Sequence, residues 1–128
     1  MRGLRLFIRP IEAADSDSVS MFLTSNDGIF HGDATPPWGL LGKLLGEMVA
    51  VLALTATPGE LRIEQIVVKR TLRKKGIGRA MIHEAIALAA KLDSRRLAVD
   101  ASCNEIEFFR RVGFREEGKQ WVLDVPGE

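Results

Sequence analysis

Apolar and polar positions change rhythm several times along the chain, and each rhythm predicts an element. Leu4, Leu6 and Ile8 alternate with Arg5, Phe7 and Arg9. A period of two is that of a half-buried strand, which Pro10 stops. Asp15 stands as an N-cap before a short helix in which Val19, Phe22 and Leu23 share one face. Residues 24–38 (TSNDGIFHGDATPPW) collect Gly, Asn, Asp and a Pro-Pro pair, and predict a loop. Residues 40–44 and 48–56 then read as two strands joined at Gly46-Glu47. The second is apolar on both faces, which predicts a central place in a sheet.

After the turn signal Thr57-Pro58-Gly59-Glu60, residues 61–68 (LRIEQIVV) form the next expected strand. The rhythm changes at Ile77. There Ile77, Met81, Ala85, Leu88, Ala89 and Leu92 make a helical stripe over 77–92, which Ile82 and Ile86 widen. Residues 97–101 predict a short strand. Residues 104–112 predict a second amphipathic helix, with Asn104 and Glu107 at capping-box spacing. Gly113 suits a left-handed helix stop, and Phe114 the apolar contact beyond it. A last strand is expected over 120–125. The order β, α, β, β, β, α, β, α, β predicts an α/β (α+β) fold. It is a mixed, mostly antiparallel sheet with helices on both faces and a parallel pair formed by a right-handed crossover. The whole chain, 1–128, is expected to form one domain.

Composition narrows the function. Lys and Arg total 18 against 17 Asp and Glu, so bulk charge does not drive nucleic-acid binding. One cysteine, Cys103, excludes an internal disulfide framework, and with only two histidines no Cys-rich zinc site forms. No apolar run reaches the roughly 20 residues of a membrane helix, and no signal-peptide core follows the start. A cytoplasmic protein without a membrane partner is expected.

The chemistry concentrates in residues 66–79, IVVKRTLRKKGIGR. A strand runs into a glycine-containing loop that opens the long helix. Free N–H groups and the helix dipole converge there. Lys69, Arg70, Arg73, Lys74, Lys75 and Arg79 surround the loop with no carboxylate between them. Gly76 and Gly78 let backbone approach a ligand, so the stretch suits a phosphate or pyrophosphate. The nucleotide P-loop spacing GxxxxGK[ST] and the dinucleotide GxGxxG are both absent. The spacing is Arg-x-x-Gly-x-Gly.

This stretch resembles the pyrophosphate loop of the GNAT superfamily of acyl-CoA-dependent N-acyltransferases, written [Q/R]xxGx[G/A]. Arg73, Lys74, Lys75, Gly76, Ile77, Gly78 and Arg79 are similar to that loop. Ile66, Val67 and Val68 sit where the family's strand offers backbone groups to pantetheine. Residues 104–114 (NEIEFFRRVGF) resemble the family's later motif, residues 4–10 its first strand and residues 46–54 its central hairpin. The resemblance implies acetyl-CoA as acyl-donor co-substrate, and acetyl transfer to a primary amine that attacks the thioester directly. Two departures stand out. The family often places Tyr, as general acid, four residues before the motif's Gly. Here that residue is Phe109, and the chain has no Tyr. The stretch before Gly113 is also shorter than the common form, so Asn104 is either a cofactor contact or only a helix cap.

The implied reaction needs an oxyanion donor, for which the Val67 or Val68 N–H is the candidate. It also needs a base. Glu64 is one candidate, expected on one face of its strand with Ile66 and Val68. Asp100 is the other, near where some family members carry a catalytic Glu. Arg62 or Lys43 could instead pair with Glu64, and Arg95 or Arg96 with Asp100. Ser102 and Cys103 lie near a strand end and are further candidates to assist the leaving thiolate, although no histidine stands by to make Cys103 a nucleophile. Phe108 and Phe109 are expected in the core, with Phe109 also a candidate to flank the CoA sulfur. Trp38 and Trp121 could pack or line an acceptor pocket. His31 and His83 are expected at the surface. The competing readings are a CoA-binding regulatory or partner-binding module with little catalysis, supported by the missing Tyr, and a nucleic-acid patch, which lacks an aromatic stacking set. Either a monomer or a homodimer is compatible with the pattern.

Overall fold

The most apolar run of the chain becomes an interior strand of a seven-stranded sheet. In the computed structural model, which describes residues 5–26, 39–73, 75–100 and 105–126, strand β3 (Glu47–Thr57) lies between β2 (Gly39–Leu44) and β4 (Glu60–Val68), antiparallel to both. Strand β1 (Leu6–Pro10) pairs outside β2. On the other side, β5 (Arg96–Asp100) pairs parallel with β4, followed by β7 (Gln120–Asp124) and β6 (Arg115–Glu117). The expected mixed sheet with one parallel pair is present.

Alternation along β3 explains its composition. Val51 enters a core under helix α1 (Ser16–Ser25), with Val19, Phe22, Leu23, Leu41 and Val67. Ala50, Leu52 and Leu54 enter the larger core under helix α2 (Ile77–Lys91), with Ile77, Met81, Ile82, Ala85 and Ala89. Each fully buried aliphatic side chain is worth roughly 1.5–3 kcal/mol, so these two faces hold the sheet between its helices. Leu92, expected on the stripe of α2, is instead exposed just past the helix end. In β1, Leu6 and Ile8 pack on the α2 core, and Phe7 on the opposite side is 62% exposed.

The cap expected of Asp15 does not form. Asp15 precedes α1, but its own backbone is helical (φ −86°, ψ −5°) and its carboxylate caps no N–H of that helix. A side chain caps best from extended backbone. The carboxylate instead accepts two hydrogen bonds from the Arg9 guanidinium, both 2.8 Å, and one of 2.7 Å from the Glu12 N–H. The clasp spans a single 3-10 turn, Ala13–Asp15, and fixes where α1 leaves β1.

Helix α3 (Ile106–Arg111) ends as the sequence predicts. Gly113 has φ +110°, its N–H bonds the Arg110 carbonyl, and the Phe114 N–H bonds the Phe109 carbonyl at 3.0 Å. These are the two hydrogen bonds of a Schellman stop, and its apolar contact is the edge-to-face pair Phe109–Phe114, 5.1 Å between centroids. The expected start at Asn104 lies outside the described residues. Strand β6 was not legible in the sequence: its Arg-Glu-Glu is wholly exposed and has no apolar rhythm, and pairing with β7 alone defines it.

The hydrogen bonds from Arg9, and after them the Glu12 N–H, hold the Asp15 pKa down from 3.8 to about 2. A carboxylate depressed in this way stabilises the fold above its unfolded pKa and loses that contribution as pH falls through the folded value. Asp15→Asn should therefore cost about 1 kcal/mol at neutral pH, given the half-exposed Arg9. Urea unfolding across pH should show the difference from wild type shrinking between about 4 and about 2.

Candidate active site

Parallel pairing of β4 with β5 runs only from Glu60↔Arg96 to Ile63↔Val99. Beyond it the strands part. At that point β4 carries one extra residue against β3: Ala53 stands opposite Gln65 and Leu54 opposite Ile63, leaving Glu64 unmatched. Such a bulge bends its strand and shifts the side-chain alternation by one. Leu61 and Ile63 before the bulge therefore share a core with Ile66 and Val68 after it. The expected common face for Glu64, Ile66 and Val68 is corrected accordingly: the extra residue breaks the alternation between them.

Glu64 is exposed, with no ion pair to Arg62 or Lys43 among the described residues; Arg62 turns to Glu60 and the Gln120 side chain. Asp100 is exposed at the end of β5, opposite Gln120. Arg96 pairs with Glu117, which holds the Glu117 carboxyl below the usual carboxylate range. Glu64 and Asp100 are each the first residue past the last β4–β5 pair, so the topology brings both carboxylates to the fork.

Backbone alternation sorts the oxyanion candidates. The Lys69 N–H bonds the Val49 carbonyl across β3 at 2.8 Å. Successive residues point their polar groups to opposite edges. Val67, opposite Val51, therefore faces β3, and Ile66 and Val68 face the open edge beside β5. The Val68 carbonyl on that edge accepts the Arg73 Nε at 3.0 Å, leaving its N–H as the candidate donor. Val67 is thus removed from the oxyanion role, and its buried side chain joins the α1 core.

The glycine loop stands at the end of this edge. Gly76 holds φ +90°, a left-handed conformation that favours glycine, and no atom lies within 4 Å of where its Cβ would be. The first amide of α2 bonded within the helix is Ala80, to the Gly76 carbonyl at 3.1 Å. The N–H groups of Ile77, Gly78 and Arg79 have no acceptor among the described residues, as expected at a helix start. Lys75 and Arg79 are exposed beside them and pair with no carboxylate among the described residues. Open space, free amides and unpaired cations fit an anionic phosphate group.

Other cations of the loop are spent elsewhere. Lys69 pairs with Glu47, and the Arg73 guanidinium bonds the Val68 and Asn26 carbonyls. Gly78 does not face open space: a Cβ there would meet the Phe108 ring at 3.1 Å and Ile66 at 3.8 Å. Its small size serves packing of α3 against the start of α2. Phe108, half-buried, is the aromatic beside the start of α2, and the sequence pattern alone did not distinguish it from Phe109. Phe109 is 1% exposed, wedged edge-to-face between Phe108 and Phe114. This burial removes Phe109 from the cofactor contacts. Trp121 packs on the α2 core with the Arg110 guanidinium 5.9 Å from its ring centroid. His83 is exposed and lines an open groove of about 440 Å³ with Leu6, Ile8, Gly76 and Arg79. Lys74, Asn104, Ser102, Cys103, His31 and Trp38 lie outside the described residues.

The sequence matches the acetyltransferase (GNAT) family over residues 7–114, spanning both the fork and the loop. The chain belongs to this family. Solved structures share the fold. The ribosomal-protein-S18-alanine N-acetyltransferase of Escherichia coli is similar with TM-score 0.79 and 16% identity, covering 97% of this chain and 96% of that one. The N-acetylglutamate synthase of Neisseria gonorrhoeae, complexed with coenzyme A and N-acetyl-glutamate, matches with TM-score 0.79 and 14% identity over 95% of this chain but 35% of its own. The GNAT protein YhbS of Escherichia coli, in complex with CoA, gives 0.74 and 14% over 98% and 84%. No curated protein matches the sequence. Family and fold support acetyl transfer and CoA binding at the level of the GNAT family. Among the described residues, no helix is long and apolar enough to cross a membrane.

In this GNAT chain a phenol at position 109 would be sealed in the core. Phe109→Tyr is expected to cost about 1–3 kcal/mol for an unsatisfied buried hydroxyl, read from urea unfolding. It should not accelerate acetyl transfer.

Proposed function

We propose that residues 1–128 form one N-acetyltransferase domain that moves an acetyl group from acetyl-CoA to a primary amine by direct attack on the thioester. The observation that carries this reading is the continuity of the open β4 edge with the free amides of α2. One leads along Ile66 and Val68, and the other begins at Gly76. An extended amide-bearing arm ending in a pyrophosphate has the chemistry to follow that path. Ile77, Gly78 and Arg79 would hold the pyrophosphate through backbone N–H groups, with Lys75 and Arg79 adding charge. Lys74 and Asn104 stay in the proposal on the family resemblance alone.

Glu64 is the proposed base, with Asp100 as the other carboxylate at the fork. One ammonium proton passes to the carboxylate, directly or through water. The amine nitrogen then bonds the carbonyl carbon, and the Val68 N–H donates to the developing oxyanion. The second proton passes from the nitrogen to water as the carbon–sulfur bond breaks, and the departing thiolate takes a proton from water in turn. A thiolate is a far better leaving group than an alkoxide, so the reaction does not require the missing phenol. Positioning supplies much of the remaining rate. The acceptor is a small molecule or a peptide amine, the protein a monomer or homodimer. Its single cysteine suits a reducing cytoplasm.

The burial of Phe109, in a chain without Tyr, favours one second reading: a CoA-binding regulatory module with little turnover. Both readings expect calorimetric binding of acetyl-CoA and CoA but not ATP, and Gly76→Asp should abolish it by setting a carboxylate against the pyrophosphate. Only the enzyme releases free thiol in a screen over amines. With an acceptor in hand, Glu64→Gln should keep the CoA affinity and lower kcat by about 10²–10⁴. Normal turnover in that variant would pass the base role to Asp100 or to solvent.

A further inference from the structure

We infer that Asn26, at the end of α1, is a positioning residue for the pyrophosphate loop, and that Arg73 is a second strut of the same loop, tied to the Asn26 backbone carbonyl. This rests on the CoA site proposed above. Asn26 closes α1 on itself: its N–H bonds the Leu23 carbonyl at 3.2 Å and its Nδ2 bonds the Phe22 carbonyl at 2.9 Å. That leaves two acceptors pointing out of the helix, and both are used by the β4–α2 connection. The Asn26 Oδ1 accepts the Arg70 N–H at 3.1 Å. The Asn26 backbone carbonyl accepts the Arg73 Nη2 at 3.0 Å. Arg73 in turn fastens its Nε to the Val68 carbonyl.

One residue thus grips both ends of the single 3-10 turn Arg70–Leu72, by its side chain at Arg70 and by its backbone carbonyl at Arg73, from an element more than forty residues away. Leu72 packs on the α2 core and Lys69 pairs with Glu47, but past Arg73 the connection leads into an open glycine. The loop presents backbone donors, whose value depends on being held in place before the ligand arrives. A guanidinium is a rigid fork of donors, and here two of its arms are committed to carbonyls of β4 and α1. It is turned towards α1, so its charge is not the loop's anion ligand; that part falls to the amides of α2 with Lys75 and Arg79.

The test compares wild type, Asn26→Ala, Arg73→Ala and the double variant by calorimetric CoA titration at low and high salt. Amide hydrogen exchange on the free proteins is the second readout. Each single variant is expected to bind CoA about tenfold more weakly, and the double variant hardly more so, because both act on one loop. The ratio of Arg73→Ala to wild type should hold as salt rises, since no ion pair with phosphate is lost. In the free Asn26→Ala protein the Arg70 amide should exchange faster while the buried turns of α2 keep their protection. A ratio for Arg73→Ala that collapses towards one at high salt would make Arg73 a direct phosphate ligand and overturn the inference. So would unchanged affinity and exchange in Asn26→Ala. Should Asn26→Ala fail to fold, Arg73→Ala, an exposed loop residue, carries the same comparison. Wild type that does not bind CoA sinks the functional reading instead, and exchange in the free proteins still reports whether Asn26 holds the loop.

Discussion

A single extra residue in β4 governs the geometry of this protein. With Glu64 unmatched against β3, the strand bends at the place where its parallel pairing with β5 ends. A continuous ladder would have satisfied every polar group of β4 and left no edge. Instead, the backbone groups of Ile66 and Val68 face an opening, and the same bulge brings Glu64 to its mouth beside the end of β5. The shift in alternation is what keeps Ile66 and Val68 in the α2 core after the bend. Buried packing and an open edge coexist on one strand because the bulge separates the two stretches.

The loop beyond β4 divides its charges between two tasks. Lys69 and Arg73 are consumed in holding the turn, one by Glu47 and the other by two carbonyls. Lys75 and Arg79, with the amides at the start of α2, remain for a ligand. A cluster of cations in a sequence overstates the field a ligand meets, because some of those cations are structural donors. The α3 end shows the same economy with apolar groups. Phe109 and Phe114 close the Schellman stop and fill the core, and Phe108 packs on Gly78 at the start of α2.

This arrangement assigns the proposed chemistry to position and backbone rather than to an acid. No phenol exists in the chain, and the side chain at the corresponding site is sealed. In that proposal the fork supplies a backbone donor and two carboxylates at the point of separation, and the open amides at the start of α2 take the phosphate. Transfer from a thioester suits such a site, since the thiolate leaves without a proton delivered to it.

Much of this was legible in the residue pattern. The period-two runs, the helical stripe of α2, the central place of β3 and the Gly113-Phe114 stop all follow from interactions between residues near one another in the chain. So does the Arg-x-x-Gly-x-Gly motif that pointed to a pyrophosphate and to the GNAT family. Other features depend on partners distant in sequence and left no local trace. The exposed Arg-Glu-Glu of β6 becomes a strand only against β7, and Asp15 meets Arg9 instead of capping its helix. The bulge at Glu64 exists only in the register between β3 and β4. The destination of the Arg73 guanidinium depends on a carbonyl at the end of α1, and the choice between Val67 and Val68 on which edge each amide faces. Sequence determined the elements and the kind of ligand, because periodicity and capping act within a few residues. Tertiary structure alone decided which groups stay free to meet that ligand, because freedom depends on what the rest of the fold has already bonded.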